Sequence, residues 1–425
     1  MSPLRSLRPA LAFICLAGLG LRAADWPLPA VAPEAAGFSA ERLGRLHANL
    51  DREVDAGRYS GYVMLLARDG KVADWHAHGW QDTDARTPLQ PDSIVKIYSM
   101  SKIITSTAVL ILLEDGKLKL SDPVEKYLPA LAKRQVLTGG TADAPELVPA
   151  ARPLTIHDLI THTAGYYYDA DWSADSPVAS ELFRRAKVFE AANLDDFVAR
   201  VAQLPLRDQP GTTFRYGINI DLLGAIVEKA SGQRLDRFLQ QRIFGPLGLR
   251  DTGFVVPPEK QGRMAKAYTR NADGRLVVTP PFPGSEAGRE DGLLSGGGGL
   301  YSTAADYVRF AQMLLNGGQL DGARILSRKT VELMRQNHIG HLAEPHPFHR
   351  PEMGFGLGVR MVSDLSRSPT LASAGMFGWD GAATTLVWMD PQEHTVAIFL
   401  AQHFPFNQDD IFAAFVNGYY SALVD

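Results

Sequence analysis

Polar and apolar positions change their period along this chain, and the changes outline its elements. Residues 39–56 read as a helix, with Ser39 and Glu41-Arg42 at its start. Residues 61–67 and 71–78 read as a strand pair around the turn Arg68-Asp69-Gly70. An extended-looking stretch, 93–98, precedes an apolar helical run at 103–113, with Ile103, Leu110 and Leu113 at helical spacings. Helices dominate from there to about residue 249, with 116–129 irregular and an amphipathic run at 222–227. Turn-forming residues mark loops at 139–153 and 280–292. Strand signals return at 276–278, 299–301 and 354–361. Two further runs, 385–389 and 395–401, flank Asp390-Pro391 and read as a β-hairpin of buried strands. Residues 412–423 make a closing helix. Early and late strands thus bracket a helical middle. The fold class expected is α/β, in the form of an α+β sandwich: an antiparallel sheet built from both chain ends, flanked by helices, with an inserted mostly helical domain. The expected division is 24–98 with 270–425 for the sandwich and 99–269 for the helical part, the active site lying between them.

Candidate chemistry sits where the first strands give way to helix, at Ser99-Met100-Ser101-Lys102. Residues three apart share a helix face, so the Ser99 hydroxyl and Lys102 amine stack one above the other. A helix start adds free N–H groups and a positive dipole end. A serine hydroxyl needs a base to act as a nucleophile, and this spacing supplies one. Ser93-Ile94-Val95-Lys96 has the same spacing, and either serine also fits a helix N-cap. Helical periodicity begins only after Ser99, which favours it. Farther on, Gln209-Pro210-Gly211-Thr212 is turn chemistry that sets Tyr216, in Phe214-Arg215-Tyr216-Gly217-Ile218-Asn219, at a loop-to-helix junction. Gly378-Trp379-Asp380-Gly381-Ala382 opens the late hairpin, where glycines allow close approach of a ligand.

Other chemistries find less support. No G-x-S-x-G elbow is present, which argues against an α/β-hydrolase. His338, His341, His346 and His349 lack H-E-x-x-H spacing and read as an exposed or lid loop, not a metal site. Gly296 to Gly299 lacks the Lys-Ser/Thr of a phosphate loop and reads as tight packing beside the site. No metal and no cofactor is expected. The N-terminus carries Arg5 and Arg8, an apolar stretch at 10–21, and Arg22-Ala23-Ala24. This reads as a secretory signal peptide over residues 1–23, too short for a membrane span, and points to the bacterial periplasm. Its cleavage would remove Cys15, the single cysteine, and shift the formal charge from −4 to −7. The mature chain would then have no disulfide and no stable membrane insertion. With no basic cluster, a nucleic-acid partner is not expected. The sequence leaves the oligomeric state open.

In order, these motifs resemble the class C β-lactamase-related, penicillin-binding-protein-like serine hydrolases, and within them the family VIII carboxylesterases. Ile97-Tyr98-Ser99-Met100-Ser101-Lys102 is similar to the nucleophile motif, and Leu159-Ile160-Thr161-His162-Thr163-Ala164-Gly165 to the H-T-S-G loop. The four glycines with Leu300-Tyr301-Ser302-Thr303 are similar to another shared segment. Trp379-Asp380-Gly381 stands where β-lactamases carry K-T-G and many esterases W-G-G. The resemblance runs from about residue 35 to the C-terminus. It implies a β-lactamase/transpeptidase-like fold and an acyl-enzyme on Ser99, with Lys102 and Tyr216 as acid–base partners. It also implies an oxyanion hole of the Ser99 and Ala382 N–H groups. Trp379, Asp380, Gly381, Asn219 and Tyr166 are the expected substrate-binding residues, Trp379 and the run Tyr166-Tyr167-Tyr168 lining an apolar pocket. Two departures bear on substrate. Ile218 stands where β-lactamases place an Asn, unless Asn219 turns inward, and Trp379 replaces the K-T-G lysine. Both favour an apolar ester over a β-lactam; the expected function is cleavage of short-chain carboxylic esters, with weak cephalosporin hydrolysis beside it. The alternatives are a class C-type β-lactamase, a D,D-peptidase or D-aminopeptidase, and a non-catalytic binder of peptidoglycan fragments.

Overall fold

Apolar residues three and four apart shape the first helix, α1 (Ala40–Asp55), which buries Leu43, Leu46, Leu50 and Val54 along one stripe. Ser39 caps it, its side chain accepting the Arg42 N–H. The computed structural model describes residues 27–279, 292–342 and 352–425. The expected leader, most of the 280–292 loop, His346 and His349 lie outside them. Strands β1 (Gly61–Arg68) and β2 (Lys71–Asp82) pair antiparallel. Asp69 and Gly70 join them with φ of 50° and 73°. Positive φ at both central residues is what a tight right-twisting hairpin turn requires.

Short strands β3 (Thr87–Pro88) and β4 (Val95–Lys96) lead into helix α2 (Ser101–Glu114). Helix α3 (Asn219–Ser231) follows in the helical middle. Strand β5 (Tyr301–Ser302) pairs with β4, and α4 (Ala304–Leu315) comes next. The chain then lays down β6 (Met353–Phe355), β7 (Arg360–Val362), β8 (Phe377–Gly381), β9 (Thr385–Asp390) and β10 (Thr395–Ala401), and ends in α5 (Ile411–Ala422).

The main sheet has eight strands in the order β6-β7-β8-β9-β10-β1-β2-β3, every neighbour antiparallel. Strands from both chain ends meet at β1–β10, where Tyr62 pairs with Ala401 and Arg68 with Thr395. Period-two alternation sends the side chains of β1 to two separate apolar layers. Val63, Leu65 and Ala67 join a large core shared with α2, α3 and α4. Tyr62, Met64 and Leu66 join a second core under α1 and α5. Burial on both faces explains why β1 reads as an unbroken apolar run. The architecture is the mixed α/β one expected, with helices on both faces of an antiparallel sheet.

Two segments depart from the sequence expectation. Residues 354–361 form not one strand but two, β6 and β7, turned at Gly358 with φ of 78°. A side chain at Gly358 would also collide with the Ser106 hydroxyl. Within the expected loop at 139–153 a hairpin forms, Gln135–Gly140 pairing with Pro145–Pro149, because Val136 and Leu137 are buried. Residues 276–278 are a strand as expected, but in a separate three-stranded sheet with Tyr268–Arg270 and His403–Phe404.

Candidate active site

Ser99 lies in a 3₁₀ turn, Tyr98–Met100, that runs directly into α2. Tyr98 holds a φ of 43°, a left-handed conformation rare for a bulky residue and common at sites that present a side chain. Every residue from Ser101 to Leu112 in α2 is buried, so packing on all sides fixes this helix. Lys102, in its first turn, is 1% exposed. Its Nζ lies 3.0 Å from Ser99 Oγ and 2.6 Å from the Gly297 carbonyl oxygen. Burial pushes the Lys102 pKa down to about 8, against an upward pull from Asp221 and Asp380.

Tyr216 reaches the same serine from the loop before α3, where its carbonyl accepts the Ser173 hydroxyl at 2.6 Å. The Ser99 side chain lies close enough to its phenol to pull the phenol pKa down. The indole N–H of Trp379, on β8, donates to the phenol oxygen at 3.2 Å. The Lys102 Nζ sits 4.7 Å from the centre of the Tyr216 ring. Burial raises the Tyr216 pKa, and the hydrogen bonds from Ser99 and Trp379 only partly offset it. Lysine and tyrosine are therefore displaced toward the neutral amine and the neutral phenol.

Behind Tyr216 stands His162, fully buried, with its ring 4.8 Å from that of Tyr216. Burial and the Lys102 charge hold its pKa well below the usual histidine value. Its Nδ1 lies 2.9 Å from the Asn219 amide nitrogen and accepts it, which assigns the proton to Nε2. Asn219 is thus turned toward His162, not toward a substrate, and supports the tyrosine from the rear.

Sequence reasoning missed Asp221. It lies in the first turn of α3, fully buried, and its Oδ1 accepts the Gly297 N–H at 3.0 Å and the Ser295 hydroxyl. The Gly297 carbonyl in turn receives Lys102. A carboxylate, one glycine residue and the amine thus form a short buried relay of contacts. The available signal was a lone charge inside the apolar run 218–227. The glycines have a concrete reason: a Cβ at Gly297 would collide with the Asp221 carboxylate. Gly297→Ala is expected to cut kcat/KM by about tenfold or more, because the Asp221 carboxylate must give way and its hydrogen bond to Gly297, beside the lysine's anchor, is disturbed. Unchanged kinetics on a folded variant would contradict that placement.

The remaining expected residues divide. Trp379 is at the site. Gly381 brings β8 against the Ser99 turn, since a Cβ there would collide with the Ile97 carbonyl; Ala382 follows it in the turn to β9. Asp380 is corrected. One residue past Trp379 on the strand, it faces the opposite side of the sheet and pairs with Arg360. Tyr166 is fully buried in the core. From that run it is Tyr168 whose ring lies 5.6 Å from the Lys102 Nζ and 5.7 Å from the Tyr216 ring. The earlier match does not form a dyad. The Ser93 hydroxyl accepts the Gln90 N–H and donates to Gln81, while Lys96 lies over the rings of Tyr98 and Tyr301. His338 contacts His157 at 3.2 Å. Among the described residues no group of three or more side chains is arranged to hold a metal ion.

Known proteins resemble this chain over most of its length. Esterase EstB of Burkholderia gladioli is 31% identical, the match covering 81% of this chain and 86% of EstB. The lovastatin esterase of Penicillium rubens is 34% identical over 79% of this chain and 84% of its own. The structure of EstCE1, described as a hydrolase with promiscuous acyltransferase activity, superposes with a TM-score of 0.77 at 27% identity. It covers 89% of this chain and 99% of that one. The beta-lactamase family model matches residues 46–418, and the chain belongs to the beta-lactamase family of hydrolases, with esterases among its relatives.

Proposed function

We propose that the protein is a serine carboxylesterase that cleaves short-chain esters through an acyl-enzyme on Ser99. The observation that carries this reading is the convergence of the Lys102 amine, 3.0 Å from Ser99 Oγ, and the Tyr216 phenol on one half-buried hydroxyl. Lys102, pushed toward its neutral form, takes the Ser99 proton as the oxygen attacks the ester carbonyl. The Ser99 and Ala382 N–H groups receive the developing oxyanion. Tyr216 relays the proton to the leaving alcohol, and the same pair then activates the water that releases the acid. Tyr216 as phenolate base is less favoured, because burial raises its pKa.

The surroundings of the site support an apolar ester as substrate. Trp379 and Tyr168 flank the reacting groups, Ile218 is fully buried where β-lactamases place an amide, and Asn219 is engaged by His162. The relatives named as esterases support the same choice. Export to the periplasm, as the N-terminal residues suggest, belongs to this proposal. A panel of p-nitrophenyl esters, nitrocefin and D-amino-acid p-nitroanilides tests it. The expected order places acetate and butyrate esters first by about 10²-fold or more in kcat/KM, about 3 kcal/mol of discrimination. Nitrocefin or an anilide matching the esters would move the assignment to a β-lactamase or peptidase. No turnover of any of them would favour a binding protein.

A further inference from the structure

On the face of the sheet away from Ser99, a cavity of about 280 Å³ opens between β6–β9, the segment 368–372 and the start of α5. Its polar lining is Glu352, Arg360, Asp380 and Asp410, among other groups, and its aromatic walls are Trp388 and Phe412. Three carboxylates and one guanidinium therefore share this lining. That guanidinium is committed only in part, since its Nε is buried without a hydrogen-bond partner. It donates to Asp380, and it lies 4.9 Å from the Trp379 ring and 5.1 Å from the Trp388 ring. Glu352 is 3% exposed, and its Oε1 is likewise buried without a hydrogen-bond partner. Buried polar atoms are rarely left so, because the lost hydration is not replaced. The volume far exceeds the roughly 10–15 Å³ that one water needs.

We propose that this cavity is a second ligand site, and that it takes a small organic ammonium ion carrying an apolar ring. The ammonium supplies the hydrogen-bond donor and positive charge that the Glu352 carboxylate lacks. Indole and phenyl walls favour both a cation and a flat apolar body. A bare metal ion fits poorly, since aromatic walls offer no ligand atoms and no described cluster has metal-binding geometry. This site is independent of the hydrolytic proposal, because its readout is binding.

The test is titration of phenethylammonium chloride into the full protein, followed by calorimetry and tryptophan fluorescence. Saturable binding in the millimolar range or tighter is expected, with neutral 2-phenylethanol about tenfold weaker or worse. Glu352→Gln should weaken the ammonium about tenfold, and Ala413→Trp, which fills the cavity, should abolish binding while ester hydrolysis persists. Ser99→Ala should bind as wild type does. The proposal fails if no saturable binding is seen, if the alcohol binds equally, or if Ala413→Trp binds normally. It fails equally if Ser99→Ala loses binding, which would put the ligand in the catalytic cleft. Should Glu352→Gln not fold, the neutral isostere and Ala413→Trp still decide.

Discussion

Replacing Ser99 with alanine is expected to lower kcat/KM for p-nitrophenyl butyrate by about 10⁴-fold or more, the scale on which loss of a serine nucleophile acts. Replacing Ser93 is expected to leave turnover unchanged. Both serines stand three residues before a lysine, so spacing alone does not separate them. Their surroundings do. Ser99 has the Lys102 amine at 3.0 Å and the Tyr216 phenol beside it. Ser93 donates to Gln81 and accepts a backbone N–H, with no base on its hydroxyl. Ser93→Ala should cost only the stability of those bonds, about 1 kcal/mol. Parallel kcat/KM and thermal unfolding measurements on the two variants check both halves. A Ser99→Ala enzyme that retains wild-type turnover would end the mechanism.

The second large effect is expected at the acid–base pair. Lys102→Met and Tyr216→Phe should each lose about 10²-fold or more in kcat/KM. The pH profile separates their roles. With the Lys102 pKa pushed down to about 8 by burial, the amine is mostly charged below that pH and cannot accept the serine proton. The acid limb of kcat/KM should therefore rise through about pH 8 and then level. If Lys102 is the base, this limb survives in Tyr216→Phe at a lower absolute rate; if the tyrosine is, it vanishes. Because the two groups sit in contact, the fitted value belongs to the pair. Stability carries the same signature with a definite sign. The unfolded lysine, near 10.5, binds its proton more tightly than the folded one. Burial of Lys102 thus costs stability in full below pH 8, and the cost fades as pH rises from 8 to 10.5. Lys102→Met is expected to stabilise the fold at pH 7 by at most about 3 kcal/mol, read as a higher unfolding temperature. An inactive yet more stable variant is the mark of a residue kept for chemistry.

What could be read from the sequence follows from how far each feature depends on distant residues. The sheet was legible because strands such as β1 and the β9–β10 hairpin announce themselves locally, and bracketing helices leave few ways to close it. Ser99 and Lys102 were legible because one helical turn suffices to bring them together. Tyr216 needed only a turn followed by a helix. Asp221 was not singled out, since its partners, Ser295 and Gly297, come from a segment some 75 residues away. Tyr166 was preferred to Tyr168 because nothing within a run of tyrosines states which ring faces Lys102. Asp380 could have been placed correctly. A strand that points Trp379 at the site must point its neighbour the other way. The break at Gly358 likewise has a tertiary cause, the close approach of Ser106 on α2.

The most direct measurement is covalent labelling with a fluorophosphonate, followed by peptide mass mapping and residual-activity assay. A single phosphonyl adduct on the peptide that carries Ser99 is expected, with ester hydrolysis lost in proportion to labelling and no adduct in Ser99→Ala. Hydrolysis that continues undiminished with the label on another peptide, or with no label at all, would contradict Ser99 as the nucleophile.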